Sequence, residues 1–214
     1  AIVTKTLAEH FDLCGKVFAA LAEYDLRFKV EKCRFAQREM KFLGNIIESN
    51  LGRGDMSGLT TIKSDPEKIQ AILDITEPSS NKELMSYLGM TVYQKRLVPN
   101  YSDIAAPLSD ISTKHWTKET KYDFWNETHT ESFNKLKTAL ATATALAIPN
   151  KSQKFWITAD ASDRAIGGHI DQLFGDQMTT VAVFSKKLSG AQCNWGTGER
   201  ELFAIVYAIT KFHY

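Results

Sequence analysis

Apolar residues in the first part of the chain follow a helical period and then a strand-like one. Across residues 4–24 they recur at steps of three and four, which predicts one stripe of an amphipathic helix: Leu7, Phe11, Cys14, Phe18 and Leu21. Apolar and charged residues then alternate over residues 26–31, the pattern of a half-buried strand. Residues 40–47 predict a further short strand that is interrupted by Gly44.

Helical patterns dominate the middle of the chain. Asp65 before Pro66 is typical of an N-cap followed by proline at the first helical position. Ser80 with Glu83 three residues later predicts a capping box and a helix that ends near Pro99. Apolar spacing also predicts helices over residues 102–111 and 130–140, so the middle of the chain is expected to be a small helical unit.

The apolar period changes to two in the last part of the chain. Strands are predicted at residues 155–161, 166–172 and 180–185, joined by short polar turns as in an antiparallel meander. A strongly periodic helix follows from residue 201. The sequence PNKS at residues 149–152 is the best linker, so a domain boundary is placed there. The predicted fold class is α+β.

Composition narrows the class of protein. The 214 residues carry a formal net charge of +1, and 43% are hydrophobic, as in one or two ordinary domains with a core. No apolar run approaches the ~20 residues of a membrane span. The three cysteines form no CxxC pair and the five histidines are scattered, which argues against a disulfide framework, a zinc site or histidine chemistry and favours an intracellular compartment.

The two ends of the sequence predict a segment of a longer protein. The chain begins with an apolar triplet at residues 1–3, as in the second half of a strand, and has no initiator Met. The terminal helical pattern runs almost to Tyr214 without a Gly or Pro stop.

Two carboxylates are candidates for chemistry. Asp160 ends an apolar strand pattern, where it is either a metal ligand or the cap of the turn that follows. Glu201 opens the terminal helix, where acidic residues favour the macrodipole, and Glu199 competes for that role. Acidic groups from a strand and a facing helix are also a known device for binding two divalent ions that cleave a phosphodiester.

A basic stretch over residues 27–42 is a candidate nucleic-acid track. It holds six basic residues against two acidic ones, with Phe28, Phe35 and Phe42 interleaved. Cations for phosphates and rings for bases are what such a track needs. The alternative is that the rings lie in the core and the charges form an ordinary solvated face. Lys186 and Lys187 are expected to contact phosphates in the same way.

Several ordered blocks carry a family resemblance over essentially the whole chain. They are HF at 10–11, FKVEKCRF at 28–35, FLGNII at 42–47, DPEKI at 65–69, ELMSYLGM at 83–90, IAAPL at 104–108, ADASD at 159–163 and ERELFAIV at 199–206. In this order and spacing, the chain resembles the Pol polyprotein of gypsy-type long-terminal-repeat retrotransposons.

The resemblance implies an organisation in three parts. Residues 1–62 would be the C-terminal part of a reverse transcriptase palm with its end helix and hairpin. Residues 63–150 would be a helical thumb or connection, and residues 151–214 the N-terminal part of an RNase H-like domain with a mixed sheet and a helix. The implied partners are an RNA template, a DNA primer, an RNA:DNA hybrid and the rest of the polyprotein, with no membrane.

The resemblance also implies roles for particular residues. Asp160 and Glu201 would be RNase H carboxylates that bind Mg²⁺ or Mn²⁺, because the family motif selects the Glu directly before the Leu-x-Ala-Ile stretch. Phe42, Leu43 and Gly44 would form the hairpin that holds the primer terminus, or simply a packed hairpin. The candidate nucleic-acid contacts are Phe42, Leu43, Gly44, Lys32, Arg34 and Lys186.

Departures from the family pattern limit what this piece is expected to do. The polymerase Asp-Asp motif would precede Ala1, and the third RNase H carboxylate would follow Tyr214. The chain is therefore expected to be inactive by itself, within a parent that copies RNA into DNA and degrades the RNA of the hybrid. The loop over residues 49–64 is also longer than the family pattern. Two rivals are a nonenzymatic nucleic-acid-binding relic and an unrelated metal-dependent nuclease or transferase of the same broad fold.

Overall fold

A computed structural model describes residues 2, 4, 6–49 and 59–212. The helices are α1 Leu7–Glu23, α2 Pro66–Leu73, α3 Asn81–Val92, α4 Tyr101–Ile104, α5 Ala106–Ser112, α6 Lys121–Phe124, α7 Glu127–Ala141, α8 Gly190–Cys193 and α9 Thr197–Lys211. The strands are β1 Glu39–Phe42, β2 Asn45–Ser49, β3 Thr60–Ser64, β4 Leu146–Ala147, β5 Trp156–Ala161, β6 Ala165–Phe174 and β7 Gln177–Lys187. This mixture confirms the predicted α+β class.

The first sheet has the antiparallel order β1-β2-β3-β4 and begins with a tight hairpin. Phe42 pairs with Asn45, so only Leu43 and Gly44 form the turn, with φ of 48° and 76°. Positive φ at both central residues is the geometry that matches the twist of paired strands. The predicted single strand interrupted by Gly44 is therefore two strands, and Gly44 is at the turn between them.

An ion-pair cluster fastens this hairpin to α2. The Asp65 carboxylate accepts a hydrogen bond from the Glu67 N–H at 3.1 Å, which confirms the predicted N-cap before Pro66. The Lys41 Nζ lies 2.8 Å from the Glu67 carboxylate and 3.2 Å from that of Asp65. Hydrogen bonds to Glu67 and then Asp65 raise the pKa of Lys41, so this cation is already neutralised within the chain.

The predicted helical unit is present and has its own core. Ser80 accepts from the Glu83 N–H as predicted, but the Glu83 carboxylate accepts from the Ser79 N–H and not from that of Ser80. The centre of the unit is formed by fully or almost fully buried side chains: Leu84, Tyr87, Val98, Leu108, Phe133, Leu136 and Leu140.

One predicted helix in this unit is divided. Residues 102–111 form α4 and α5, which meet at Ala105. Pro107 occupies the first turn of α5, where its missing N–H costs nothing, but the same residue inside one continuous helix would remove a hydrogen bond to the turn before. The proline therefore starts a new helix at this point.

The second sheet is the predicted antiparallel meander, with the order β5-β6-β7 among the described residues. The two sheets are connected, because Ala147 of β4 packs against Val181 and Ala182 of β7. Strand β3 runs across the predicted boundary at residue 62. Strand β4 lies in the predicted part 63–150, yet it pairs with β3 in the first sheet. The division of the chain into three domains stays a prediction.

The linker at residues 149–152 is fixed to the second sheet by Gln172. This side chain has no exposed surface, and its amide accepts from the Asn150 N–H at 2.8 Å and donates to the Asn150 carbonyl at 2.9 Å. A buried amide needs such partners to offset its desolvation. The linker therefore takes a defined path against β6.

The strand predicted at residues 26–31 is wrong. The chain there is extended without pairing and ends in a 3-10 turn, Val30–Lys32. Asp25 has a φ of 50°, which turns the chain back along α1, and the Phe28 ring stacks on Phe18 at 4.9 Å between centroids. Aromatic packing on a helix has replaced pairing in a sheet.

The predicted apolar stripe of α1 is only partly buried. Thr6 caps the helix by accepting from the Glu9 N–H, and Cys14 is buried. Leu7 and Phe11 are 62% and 63% exposed. Most of the strand end predicted at residues 1–3, and residues 50–58 of the loop predicted at 49–64, lie outside the described residues.

Truncation of the helical core should show where the stability of the helical unit lies. Leu136→Ala removes a side chain with no exposed surface, so we expect the free energy of unfolding to fall by about 2–5 kcal/mol. Chemical denaturation followed by tryptophan fluorescence measures this, because Trp116 and Trp125 lie in the same core. The control Leu202→Ala, at a position 62% exposed, should cost less than about 1 kcal/mol. Equal losses in the two variants would contradict this location of the core.

Candidate carboxylate site and nucleic-acid interface

Asp160 lies near the end of β5, which pairs only with β6 in the described part of the chain. Its side chain is exposed, and Oδ1 accepts from the Ala161 N–H at 2.8 Å. The next turn is capped by another residue, because the Ser162 hydroxyl accepts from the N–H groups of Arg164 and Ala165 at 3.2 and 3.0 Å. One carboxylate oxygen of Asp160 is thus left without a partner.

Strand alternation decides which way Asp160 faces. Asp160, Gly167 and Ser185 form one row across the sheet, and the Ser185 hydroxyl in this row accepts from the Ser102 N–H of α4 at 2.6 Å. The next row consists of Ala159, Gly168 and Phe184, and the Phe184 ring contacts Tyr207 of α9. Successive strand residues face opposite sides, so Asp160 belongs to the row that faces α4. Within the described residues, the edge of β5 away from β6 pairs with no strand, and this free edge joins the two faces.

Glu201 lies on α9 toward this same edge. Ala204 and Ala208 are fully buried on the sheet, while Phe203 and Tyr207 lie toward β7, where Lys186 covers both rings. At 3.6 residues per turn, Glu201 is on the other side of the Ala204–Ala208 line, and β5 is on the other side of the sheet from β7. Glu201 is exposed and has no hydrogen bond or ion pair within the described residues.

Glu199 has a different role. Its carboxylate accepts from the Gly196 N–H at 2.8 Å and closes the first turn of α9. The sequence alone left Glu199 and Glu201 as competitors for the helix terminus. The structure gives the cap to Glu199 and leaves Glu201 available.

A buried arginine that the sequence analysis missed holds the start of α9 against the β5–β6 turn. Arg200 is 8% exposed, and its Nη1 lies 2.5 Å from the Asp163 carboxylate. The Ser162 hydroxyl in the same turn donates to the Asp103 carboxylate of α4 at 2.7 Å. The only sign of Arg200 in the sequence was a positive charge between Glu199 and Glu201 at the start of the helix. Nothing in the sequence identified Asp163 as its partner.

The two carboxylates supply some, but not all, of a divalent metal site. Carboxylate oxygens without cationic partners are the donors that Mg²⁺ and Mn²⁺ prefer. In the part of the chain that the structure describes, however, no group of three or more His, Cys, Asp or Glu side chains is arranged to hold a metal. Asp160 and Glu201 therefore fit as two ligands of an incomplete set.

The proposed primer hairpin presents an exposed tip. Leu43 is 83% exposed in the left-handed region, a costly conformation for a leucine, and Phe42 is 38% exposed. Gly44 is covered by the end of the flexible Lys68 side chain, and its φ of 76° favours glycine. The tip is thus apolar, with a cation of α2 beside it.

The basic stretch divides into paired and unpaired cations. Lys32 and Arg34 are exposed and form no ion pair in the described ranges, whereas Lys41 is neutralised by α2. Phe28 and Phe35 both pack on Phe18, at 4.9 and 6.0 Å between centroids. Phe28 and Phe35 therefore pack on α1 but stay 43% and 42% exposed, so they lie at the surface and not in the core where the alternative interpretation placed them.

Lys186 and Lys187 lie inside β7 and face different partners. The Lys186 Nζ is 5.1 and 5.0 Å from the ring centroids of Phe203 and Tyr207. Lys187 forms an ion pair with Asp110 of α5. Of this pair, Lys186 alone keeps a charge without an acidic partner in the described residues.

Comparisons with known proteins agree with this architecture. Residues 125–214 match the family model of the RNase H-like domain found in reverse transcriptase. The fold is similar to that of the foamy viral protease-reverse transcriptase in complex with RNA/DNA hybrid, with a TM-score of 0.74 and 24% identity over 98% of this chain and 27% of that one. The chain thus carries an RNase H-like domain of the reverse transcriptase class.

Similar sequences define the family more narrowly. Over its whole length, the chain is 33% identical to the retrovirus-related Pol polyprotein from transposon 297 of Drosophila melanogaster. The matched segment is 18% of that polyprotein. The chain is 30% identical, over 98% of its length, to 20% of the Pol polyprotein from transposon gypsy of the same species. The chain belongs to the gypsy-type retrotransposon Pol polyproteins and spans about a fifth of the length of these relatives. Within the described residues, no helix is both long and apolar enough to cross a membrane.

The separate roles of the two glutamates of α9 are open to a stability test. Glu199→Ala removes the acceptor of the Gly196 N–H and should lower the free energy of unfolding by about 0.5–1.5 kcal/mol. Glu201→Ala removes an exposed, unpaired carboxylate and should change it by less than about 0.5 kcal/mol. Chemical denaturation of the two variants makes the comparison, and a larger loss for Glu201→Ala would overturn these assignments.

Proposed function

We propose that this chain is part of an RNA-directed DNA polymerase and ribonuclease H that copies RNA into DNA and hydrolyses the RNA strand of the RNA:DNA hybrid. The family membership gives the general class. The observation that supports the hydrolytic role here is that α9 packs on β5 while Asp160 and Glu201 remain exposed at the free edge, without cationic partners.

The metal chemistry would rest on these two carboxylates. Bound divalent ions supply an activated water and stabilise the leaving oxygen of a phosphodiester. Asp160 would contribute the oxygen left free by the Ala161 N–H, and Glu201 would approach from α9. The Arg200–Asp163 pair would position both, because it joins the first turn of α9 to the turn that follows β5.

The substrate would be held mainly outside this edge. Lys32 and Arg34 supply unpaired charge for backbone phosphates, and the exposed Leu43 tip would contact the primer end. Lys186 would add one phosphate contact beside α9. With two carboxylates and no polymerase ligands, the chain by itself is expected to bind hybrid without cleaving it.

Metal titration tests the carboxylate pair. Calorimetric titration of Mn²⁺ should show weak binding that Asp160→Asn and Glu201→Gln each weaken by at least about tenfold, because each removes a charged donor. Glu199→Gln is the matched control and should bind Mn²⁺ like the parent chain, since Glu199 is used in the cap.

A cleavage assay distinguishes the outcomes. The chain should not degrade an RNA:DNA hybrid in Mg²⁺ or Mn²⁺ above background. Robust cleavage that Asp160→Asn abolishes would contradict the incomplete site. Hybrid binding with no carboxylate-dependent Mn²⁺ binding would replace the proposal with a nonenzymatic nucleic-acid-binding relic.

The basic stretch has its own test. In Lys32→Gln/Arg34→Gln, the slope of log affinity against log salt for an RNA:DNA hybrid should fall by about two, since each lost phosphate contact accounts for about 0.9 on a duplex. Fluorescence anisotropy measures the slope. The control Lys118→Gln/Lys135→Gln makes the same charge change in the helical unit and should leave it unaltered. An unchanged slope in the first variant would remove these residues from the interface.

A further inference from the structure

A small cavity lies at the junction of the helical unit and the second sheet. It has a volume of about 180 Å³ and lies between the 3-10 turn Lys95–Leu97, β7 and the last turn of α9. Its polar lining is Lys95, Arg96, Lys211 and Ser185. Since one water molecule takes up about 30 Å³ of liquid, the cavity has room for one phosphate group.

The charges in this cavity are of one sign. Three of its lining residues are cations and none is a carboxylate. Lys95, Arg96 and Lys211 also form no ion pair elsewhere in the described part of the chain. Burial, and then the charge of Lys211, lower the pKa of the half-buried Lys95, so the two ammonium groups oppose each other. An anion between them would relieve this repulsion.

Ser185 gives the cavity a buried hydrogen-bond donor. The residue is 3% exposed, and its oxygen accepts from the Ser102 N–H at 2.6 Å. Its own hydroxyl hydrogen has no acceptor among the described residues. A buried hydroxyl without an acceptor costs free energy, and a phosphate oxygen in the cavity would supply both the acceptor and the charge that its three cations lack.

Ordinary structural roles explain only part of this arrangement. Lys211 is in the last turn of α9, where a cation favours the helix macrodipole. Lys95 lies 5.7 Å from the ring centroid of Tyr101. Neither role explains why Arg96 lies beside Lys95 and Lys211. Neither explains why the three cations surround a cavity that is also lined by the buried Ser185 hydroxyl.

A second cavity connects this site to the proposed primer hairpin. It has a volume of about 1300 Å³, begins at Leu43 and Gly44, and shares Val92, Tyr93 and Arg96 with the small cavity. The Tyr93 ring is 80% exposed at this junction. Arginine, lysine, serine and tyrosine side chains are the groups that donate to backbone phosphates of a duplex, so the exposed Tyr93 hydroxyl adds a further donor beside the cationic cavity.

We infer that Lys95, Arg96, Lys211 and Ser185 form a binding site for one backbone phosphate of the nucleic acid, where the helical unit meets the RNase H-like sheet. The inference rests on the proposed function, because it assumes that the hybrid crosses this junction. The site would fix the register of the duplex between the primer hairpin and the carboxylate edge.

The test compares two triple variants of the 214-residue chain. Lys95→Gln/Arg96→Gln/Lys211→Gln should weaken binding of an RNA:DNA hybrid on the order of tenfold and lower the salt slope by about one, as loss of one phosphate contact requires. Lys82→Gln/Lys118→Gln/Lys135→Gln removes the same charge from residues that line neither cavity and should keep the slope. The first variant should be at least as thermally stable as the parent, because like-charge repulsion is removed.

The outcomes separate this inference from the proposed function. If the parent chain does not bind the hybrid, the proposed function fails. If the parent binds but both triple variants behave alike, the phosphate site fails and the proposed function stands. Thermal shifts with inorganic phosphate form a further arm. If inorganic phosphate stabilises the parent and not the Lys95→Gln/Arg96→Gln/Lys211→Gln variant, while hybrid affinity is the same in both, the site takes a free phosphate and the assignment to a duplex is overturned.

Discussion

The position of α9 depends on the packing of Phe184 over Gly168. Phe184 is 1% exposed, and a Cβ on Gly168 would come within 2.7 Å of its ring. Only glycine lets the ring lie this close to β6, and the same ring contacts Tyr207 and Phe212 of α9 at 6.0 and 6.3 Å between centroids. With the helix seated in this way, Ala204 packs on Ile166 of the sheet and Glu201 lies on the β5 side of the helix. The candidate carboxylate pair is thus a consequence of core packing.

The helical unit and the second sheet are joined by polar contacts as well as by the packing of Leu97 on Val183 of β7. The Ser102 N–H donates to Ser185, Ser162 donates to Asp103, and Lys187 pairs with Asp110. These contacts lie along α4 and α5 and fix the helical unit on the face of the sheet to which Asp160 belongs. The cationic cavity lies at the same junction, so the geometry of the proposed phosphate site depends on these hydrogen bonds.

The sequence predicted the elements that depend on local chemistry. The Asp65 cap before Pro66, the helical period of α7 and the alternation of β5 to β7 all act within a few residues and are confirmed. The strand prediction at residues 26–31 is wrong, although apolar and charged residues do alternate there. The apolar residue Phe28 packs on α1 and not on a neighbouring strand. An alternating pattern does not identify the surface on which its apolar residues pack. The free edge of β5 and the facing direction of Asp160 follow from register, which the local pattern does not contain.

The sequence also does not show which cations are paired with carboxylates in the fold. Lys41 and Lys187 stand in basic stretches, yet Asp65, Glu67 and Asp110 neutralise them from distant parts of the chain. Lys95 and Lys211 are far apart in the sequence, and the fold brings them together without an acidic partner. A net charge of +1 is therefore no guide to the binding surface, because an interface for phosphates is made by the cations that folding leaves unpaired. By this criterion the junction of the helical unit with α9 is a stronger candidate for a phosphate contact than Lys41, although Lys41 lies within the basic stretch.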